Sequence, residues 1–133
     1  MRLVVHVDGG SRGNPGPAAA AAVLSTPEGD VVGEAKETIG VATNNVAEYQ
    51  AVLLGLRTAA QLGATVVDLV NDSELVAKQL TGAYKVKHAA MKPLYLETLA
   101  ALKGFEQWSI RSVPREQNAD ADALVNQALD AAV

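Results

Sequence analysis

Four carboxylates occupy positions where ordinary solvated surface is not expected. Asp8 closes the apolar run 3–7, and Asp72 follows a second such run, 65–70. Glu48 falls in the first turn of a helical pattern whose faces are otherwise largely apolar, and Asp122 lies early in a terminal helical pattern among Ala119, Ala121, Ala123 and Leu124. Carried on four separate elements, these groups are free to converge on one point. Brought together without a counter-ion they would repel and raise one another's pKa values. Divalent cations relieve that repulsion, and a hard, all-oxygen donor set suits Mg2+ or Mn2+. Each residue also has a plain role when taken singly. Asp8 and Asp72 fit turn or cap positions, Glu48 complements a helix dipole, and Asp122 is an ordinary first-turn acid with Asp120 as a direct competitor. Residue type and position therefore point to a metal site and leave the reaction open.

The elements that must place these groups are readable from periodicity and punctuation. Residues 3–7 form a short β-branched strand, and residues 9–17 are dense in turn formers and read as a loop. The alanine-rich stretch 18–25 favours helix by propensity, yet it lies between that loop and a hairpin-like Pro27-Glu28-Gly29-Asp30, so it reads as a strand. Residues 31–39 return as the third strand. Thr43-Asn44-Asn45 precedes a helix over 46–62 that stops at Gly63. A fourth strand spans 65–70, and a short helix over 73–80 closes at Gly82. Another helix covers 91–103, with Pro93 tolerated in its first turn. The fifth strand is 109–113, and a last helix runs from about 119 to 132. The order reads βββαβαβα, an α/β chain with a five-stranded mixed sheet, its first three strands antiparallel and helices on both faces. Such sheets usually present their chemistry at strand ends.

Bulk properties narrow the classes. A length of 133 residues fits one domain, 1–133. Aromatic content is only 4%, so the core must be built from small and branched aliphatic groups, and base-stacking platforms are few. The chain has no cysteine, which removes disulfides and thiolate metal sites and fits a reducing cytosol. No apolar run approaches the roughly 20 residues of a membrane span, and the N-terminus has no signal-peptide pattern. The expectation is a soluble cytoplasmic protein, monomeric at this size. A net charge of −4 argues against a polyanion partner, but two divalent cations held by the four carboxylates would cancel it.

The same carboxylates sit in four longer strings. Asp8-Gly9-Gly10-Ser11-Arg12-Gly13-Asn14-Pro15-Gly16 resembles the first signature of the type 1 ribonuclease H family. Thr43-Asn44-Asn45-Val46-Ala47-Glu48 resembles the second and Asn71-Asp72-Ser73 the third. The run 114–124, with its Asn-x-x-Ala-Asp-x-Leu pattern from Asn118, resembles the fourth. The resemblance covers essentially the whole chain and implies a ribonuclease H-like fold. It also assigns the last ligand to Asp122 rather than Asp120. It implies an endonuclease that cuts the RNA strand of RNA–DNA hybrids, with two Mg2+ ions about 4 Å apart on Asp8, Glu48, Asp72 and Asp122. Mn2+ is a plausible substitute, and the products would carry 5′-phosphate and 3′-hydroxyl ends. By the same resemblance Ser11, Asn14, Asn44 and Glu48 face the RNA strand and Thr43 a DNA phosphate. Turn and cap chemistry equally suits Asn14 and Asn44.

The chain departs from many members of that family in two places. The mobile histidine that usually precedes the last ligand is missing, and Arg115 stands in that loop, in the manner of an archaeal and actinobacterial branch. Arginine cannot act as a general base near neutral pH, but it can hold a phosphate or help product leave. The long basic handle of some relatives is also absent. Only Lys85, Lys87, His88 and Lys92 cluster there, a modest candidate for phosphate contact beside the plainer reading of a solvated connection. His6 shares a strand face with Asp8 and reads foremost as a structural strand histidine. Trp108 reads as packing, and Tyr49, Tyr84 and Tyr95 form no stacking motif. Three alternatives remain: another nuclease of the resolvase or exonuclease type, a non-catalytic hybrid-binding module, and a domain of a longer natural chain with a fusion partner.

Overall fold

The computed structural model describes residues 1–132. Three strands, β1 (Arg2–Ser11), β2 (Gly16–Ser25) and β3 (Val31–Ala42), form an antiparallel meander. α1 (Asn44–Gln61) then leads to β4 (Val66–Asn71), and α2 (Glu74–Leu80) and α3 (Lys92–Leu102) lead to β5 (Gln107–Ser112). A 3-10 turn (Arg115–Asn118) runs directly into α4 (Ala119–Ala131). The strand order is β3-β2-β1-β4-β5, with β4 parallel to β1 and β5 parallel to β4. This is the expected five-stranded mixed sheet. The crossover from β4 to β5 carries two helices, so the full order is βββαβααβα, one helix longer than the condensed form.

Two-residue alternation places the core. Leu3, Val5 and Val7 of β1, with Ala20, Ala22 and Leu24 of β2, are buried in one cluster with Val52 and Leu56 of α1. Complete burial of each leucine or valine among them stabilises the fold by about 1.5–3 kcal/mol. On the opposite face Ala19 and Ala21 meet Val125, Ala128 and Leu129 of α4. The alanine stretch is thus buried on both sides, and small side chains there admit a helix on each face; tertiary packing overrides the helix propensity of alanine. Gly55 brings α1 down onto the sheet, since a Cβ on it would lie 2.7 Å from Val7 Cγ1.

The predicted loop 9–17 proves shorter. Gly9, Gly10 and Ser11 stay in β1, paired with Ala20, Ala19 and Ala18, and only 12–15 lie outside the strands. The antiparallel ladder carries the glycines past the point where their turn propensity would end a strand. Gly13, at φ 101°, makes the reversal that closes with the Arg12 N–H donating to the Pro17 carbonyl at 2.8 Å. Asp8 therefore sits inside a strand rather than at its end, opposite Ala21. The start of α1 also moves: Thr43 is the N-cap, with its hydroxyl accepting the Val46 N–H at 3.3 Å. Glu48 consequently lies beyond the first turn, which holds no acidic residue. The expected helix-dipole role is overturned with it, because that effect is confined to the first turn.

Candidate active site

Gly9 is where the site begins. A Cβ on this residue would lie 2.1 Å from the Ala47 carbonyl oxygen, so only glycine lets the first turns of α1 touch β1. That contact places Glu48 beside Asp8. Asp72 follows the last residue of β4, the strand parallel to β1. Carboxylate oxygens of Asp8, Glu48 and Asp72 all lie within 4.8 Å of one another. Asp122, one turn into α4, joins from the other side. It lines the same cleft as the other three, and its charge, like that of Asp72, acts on Asp8. Asp120 lies instead in a separate groove with His6 and Arg111.

The electrostatics of this cluster are those of uncompensated acids. Burial is the first cause in each case. Asp8, only 5% exposed, is pushed up to about 8 by burial and then by the charges of Asp72 and Asp122. Glu48 is pushed up to about 9 by burial, Asp8 and Asp72, against a hydrogen bond from the Gly9 backbone. Burial also raises Asp72, while the Arg115 guanidinium opposes it. Arg115 pairs with Asp122 at 3.0 Å and is the one cation ion-paired to the cluster among the described residues. The remaining donors are all carboxylate oxygens, held close and short of positive charge. That set fits a hard divalent cation.

The carboxylates line an open cleft of about 570 Å³ shared with Ser11, Asn44, Ser73 and Arg115. Its rim is a hydrogen-bonded unit. Asn44 Oδ1 accepts from the Ser11 N–H at 2.9 Å and the Ser11 hydroxyl at 3.0 Å, and the Asn44 N–H donates to Asn14 Oδ1 at 3.1 Å. Ser11, Asn14 and Asn44 thus tie the β1–β2 loop to the start of α1, and Thr43 caps that helix. Lys85 and Lys87 lie outside the cleft. Both are exposed, and Lys85 lines a separate groove with Tyr84, Val86 and Tyr95.

His6 is not part of the cluster. Burial lowers its pKa, Arg111 lowers it further and Asp120 opposes them. Trp108 packs against the main core, and Tyr49 is fully buried with its hydroxyl donating to Gln79 Oε1 at 2.6 Å. Two buried amides next to the site were passed over in sequence. Asn71 Oδ1 accepts the Ser73 N–H at 2.6 Å, and Asn118 Nδ2 donates to the Val7 carbonyl at 2.8 Å. In the sequence both stand only as members of the third and fourth strings, and neither residue type nor spacing discloses their buried partners.

Comparison with known proteins identifies the family. Residues 6–128 match the family described as reverse transcriptase-like. Ribonuclease HI of Halobacterium salinarum is 47% identical over 97% of this chain and 65% of its own length. The crystal structure of that organism's RNase H1 superposes with a TM-score of 0.96, covering 98% of each chain. Bifunctional protein Rv2228c of Mycobacterium tuberculosis is 47% identical over 99% of this chain but only 36% of its own length. Its N-terminal RNase H domain has a TM-score of 0.95. LC11-RNase H1, solved in complex with an RNA/DNA hybrid, is 36% identical with a TM-score of 0.94 over 98% of each chain. The present chain therefore spans about a third to two thirds of the length of these curated relatives. Carried by that match and by the same five-stranded sheet, the chain belongs to the type 1 ribonuclease H family, in the branch that includes the Halobacterium and Mycobacterium proteins.

Proposed function

We propose that residues 1–133 form one ribonuclease H domain that hydrolyses the RNA strand of RNA–DNA hybrids, leaving 5′-phosphate and 3′-hydroxyl ends. The observation that carries this reading is the convergence of Asp8, Glu48 and Asp72 within 4.8 Å, with Asp122 alongside, in a chain of this family. Two Mg2+ ions, or Mn2+ in their place, would supply an activated water and charge stabilisation for the departing 3′ oxygen. Asp8, whose carboxyl feels the charges of both Asp72 and Asp122, would be a ligand to either ion. The raised pKa values of Asp8 and Glu48 mean that binding a cation displaces protons from the cluster.

The neighbouring polar rim suits recognition of the RNA strand. Ser11, Asn14 and Asn44 present hydroxyl and amide groups beside the cleft, the chemistry needed to meet 2′-hydroxyls in a hybrid's shallow minor groove. Thr43 lies next to them for a DNA phosphate. The solved hybrid complex of LC11-RNase H1 supports this substrate class. Arg115, in place of the usual histidine, holds Asp122 and is placed to take up a phosphate oxygen. Lys85 and Lys87 offer modest phosphate contacts further along. No helix among the described residues is long and apolar enough to cross a membrane. We read the domain as a cytoplasmic monomer that can stand in a longer chain, as the RNase H domain of Rv2228c does.

One assay decides the reading: labelled RNA–DNA hybrid with Mg2+, beside RNA–RNA, DNA–DNA and chelator controls. The expected outcome is cutting of the hybrid's RNA strand alone, abolished by chelator. Equal cutting of a DNA duplex would place the enzyme with the resolvases. Hybrid binding without cleavage, unchanged in Asp72→Asn, would make it a binding module.

A further inference from the structure

Asn118 occupies the N-cap of α4 without capping it. Asparagine is favoured at that position because its side-chain oxygen accepts an N–H of the first turn, and no such hydrogen bond forms here. The side chain instead turns to the sheet, where Nδ2 donates to the Val7 carbonyl at 2.8 Å. Asn118 is 1% exposed, and its Oδ1 is buried with no hydrogen-bond partner among the described residues. A buried acceptor left unsatisfied costs stability, so helix capping and stability together give no reason for this residue type. The location of the bond does.

Val7 immediately precedes Asp8, and Asn118 stands four residues before Asp122. The parallel ladder between β1 and β4 ends at the His6–Val70 rung, and the amide meets β1 at the next residue. It is thus a direct tie between the strand that carries Asp8 and the helix that carries Asp122. The 3-10 turn before it has no side-chain cap of its own, and Arg115 in that turn is mostly exposed. Apolar packing holds α4 further along, through Val125, Ala128 and Leu129. At its first turn the amide is the polar anchor to the sheet.

We propose that Asn118 is a positioning residue that sets the separation of Asp8 and Asp122, and through it the affinity for the divalent cation these two share. This rests on the reading of the cleft as a divalent-cation site. Asn118 touches neither cation nor substrate and acts through the backbone at Val7. Loss of a group hydrogen-bonded to a metal ligand typically costs 10–100-fold in metal affinity or activity, which sets the scale for a tie one residue from Asp8.

The test measures Mn2+ binding directly, by calorimetry or electron paramagnetic resonance, in the whole chain without substrate. Asn118→Asp keeps the shape but turns an acceptor toward the Val7 carbonyl, and Asn118→Ala removes the tie; circular dichroism confirms folding of either. The expected result is Mn2+ affinity weakened about 10-fold or more. The Mg2+ concentration for half-maximal hybrid cleavage rises by the same factor, while KM for the hybrid stays within about twofold. In an Asp122→Asn background the further change should disappear. A folded Asn118 variant with wild-type Mn2+ affinity overturns the inference alone, as does an equal loss in the Asp122→Asn background. A wild-type chain that binds no Mn2+ overturns the reading of the site and the inference with it.

Discussion

Asp68 within β4 and Asp72 just past its end are the same residue type in opposite electrostatic states. Asp68, in the first half of the strand, accepts two hydrogen bonds from Arg2, at 2.7 and 3.2 Å, and a third from the Ser109 hydroxyl at 2.7 Å. Its pKa is held down, chiefly by the Arg2 hydrogen bond. Asp72, four residues on, is pushed up by partial burial and keeps company with the buried Asp8, the half-buried Glu48 and one mostly exposed arginine. Neighbouring strands complete the first carboxylate and crowd the second. The fold satisfies its own charge at Asp68, so that residue needs nothing from solution. At Asp72 it leaves negative charge for an ion to neutralise.

The comparison breaks most sharply at the cluster. Asp8→Asn or Asp72→Asn should lower hybrid cleavage by at least ~100-fold, because under the proposed function each removes a metal ligand. The same changes should raise the melting temperature of the metal-free protein near pH 8, since they remove a buried, repelled charge. Asp68→Asn should do the reverse, leaving cleavage within about twofold and lowering stability slightly. Cleavage rates and thermal melts in chelator decide both; a large activity loss in Asp68→Asn would end the contrast.

The contrast also has a pH signature. Unfolded carboxyl groups titrate near 4, whereas folded Asp8 and Glu48 titrate at about 8 and about 9. Between those values the folded chain holds protons that the unfolded chain has released, so metal-free stability falls as pH rises from about 4 to about 9. Asp68 has the opposite sign: its contribution is present above about 4 and is lost as pH falls through its depressed folded value. Saturating Mg2+ should flatten the alkaline fall, because a cation takes the deprotonated form. A metal-free melting temperature that stays level from about pH 5 to 9 would contradict the assignment of raised values.

Arg115→Ala probes the one cation ion-paired to the cluster among the described residues. If the guanidinium handles phosphate, turnover should fall about 10-fold, with Mg2+ dependence shifting by less than about twofold. Unchanged steady-state hydrolysis in this variant would remove Arg115 from the reaction. A shift in Mg2+ dependence equal to the loss of turnover would make it a partner of Asp122 only.

These expectations show what the residues disclosed and where they fell silent. The β-branched runs before Asp8 and Asp72 and the glycine stops of α1 and α2 were legible, because periodicity and punctuation are local properties. Glu48 was assigned to a first turn because Thr43-Asn44-Asn45 looked like an approach to the helix. The cap at Thr43 draws both asparagines inside it. The loop at Gly9 was overextended for a related reason: the glycines answer to β2 and to the Ala47 carbonyl, neither of which is near in sequence. The choice between Asp120 and Asp122 needed family resemblance, since both are first-turn acids and only the placement of α4 on the sheet separates them. Asn118 stayed hidden because its partner, Val7, lies 111 residues away.

The smallest effect is expected where the chain is most exposed. Lys85 and Lys87 lie on the connection between α2 and α3, outside the cleft and without ion-pair partners among the described residues. If both meet hybrid phosphates, Lys85→Ala with Lys87→Ala should reduce the slope of log affinity against log salt by up to about two. Turnover at saturating hybrid should not change, because neither amine reaches the carboxylates. Cleavage at low and at moderate salt separates this from a plain solvated connection, for which affinity and slope stay at wild-type values. The outcome also bears on the contrast along β4: if a chain of net charge −4 loses little binding with these lysines, the attraction for the polyanion falls to Arg12 and Arg115 of the cleft and to the cations proposed there.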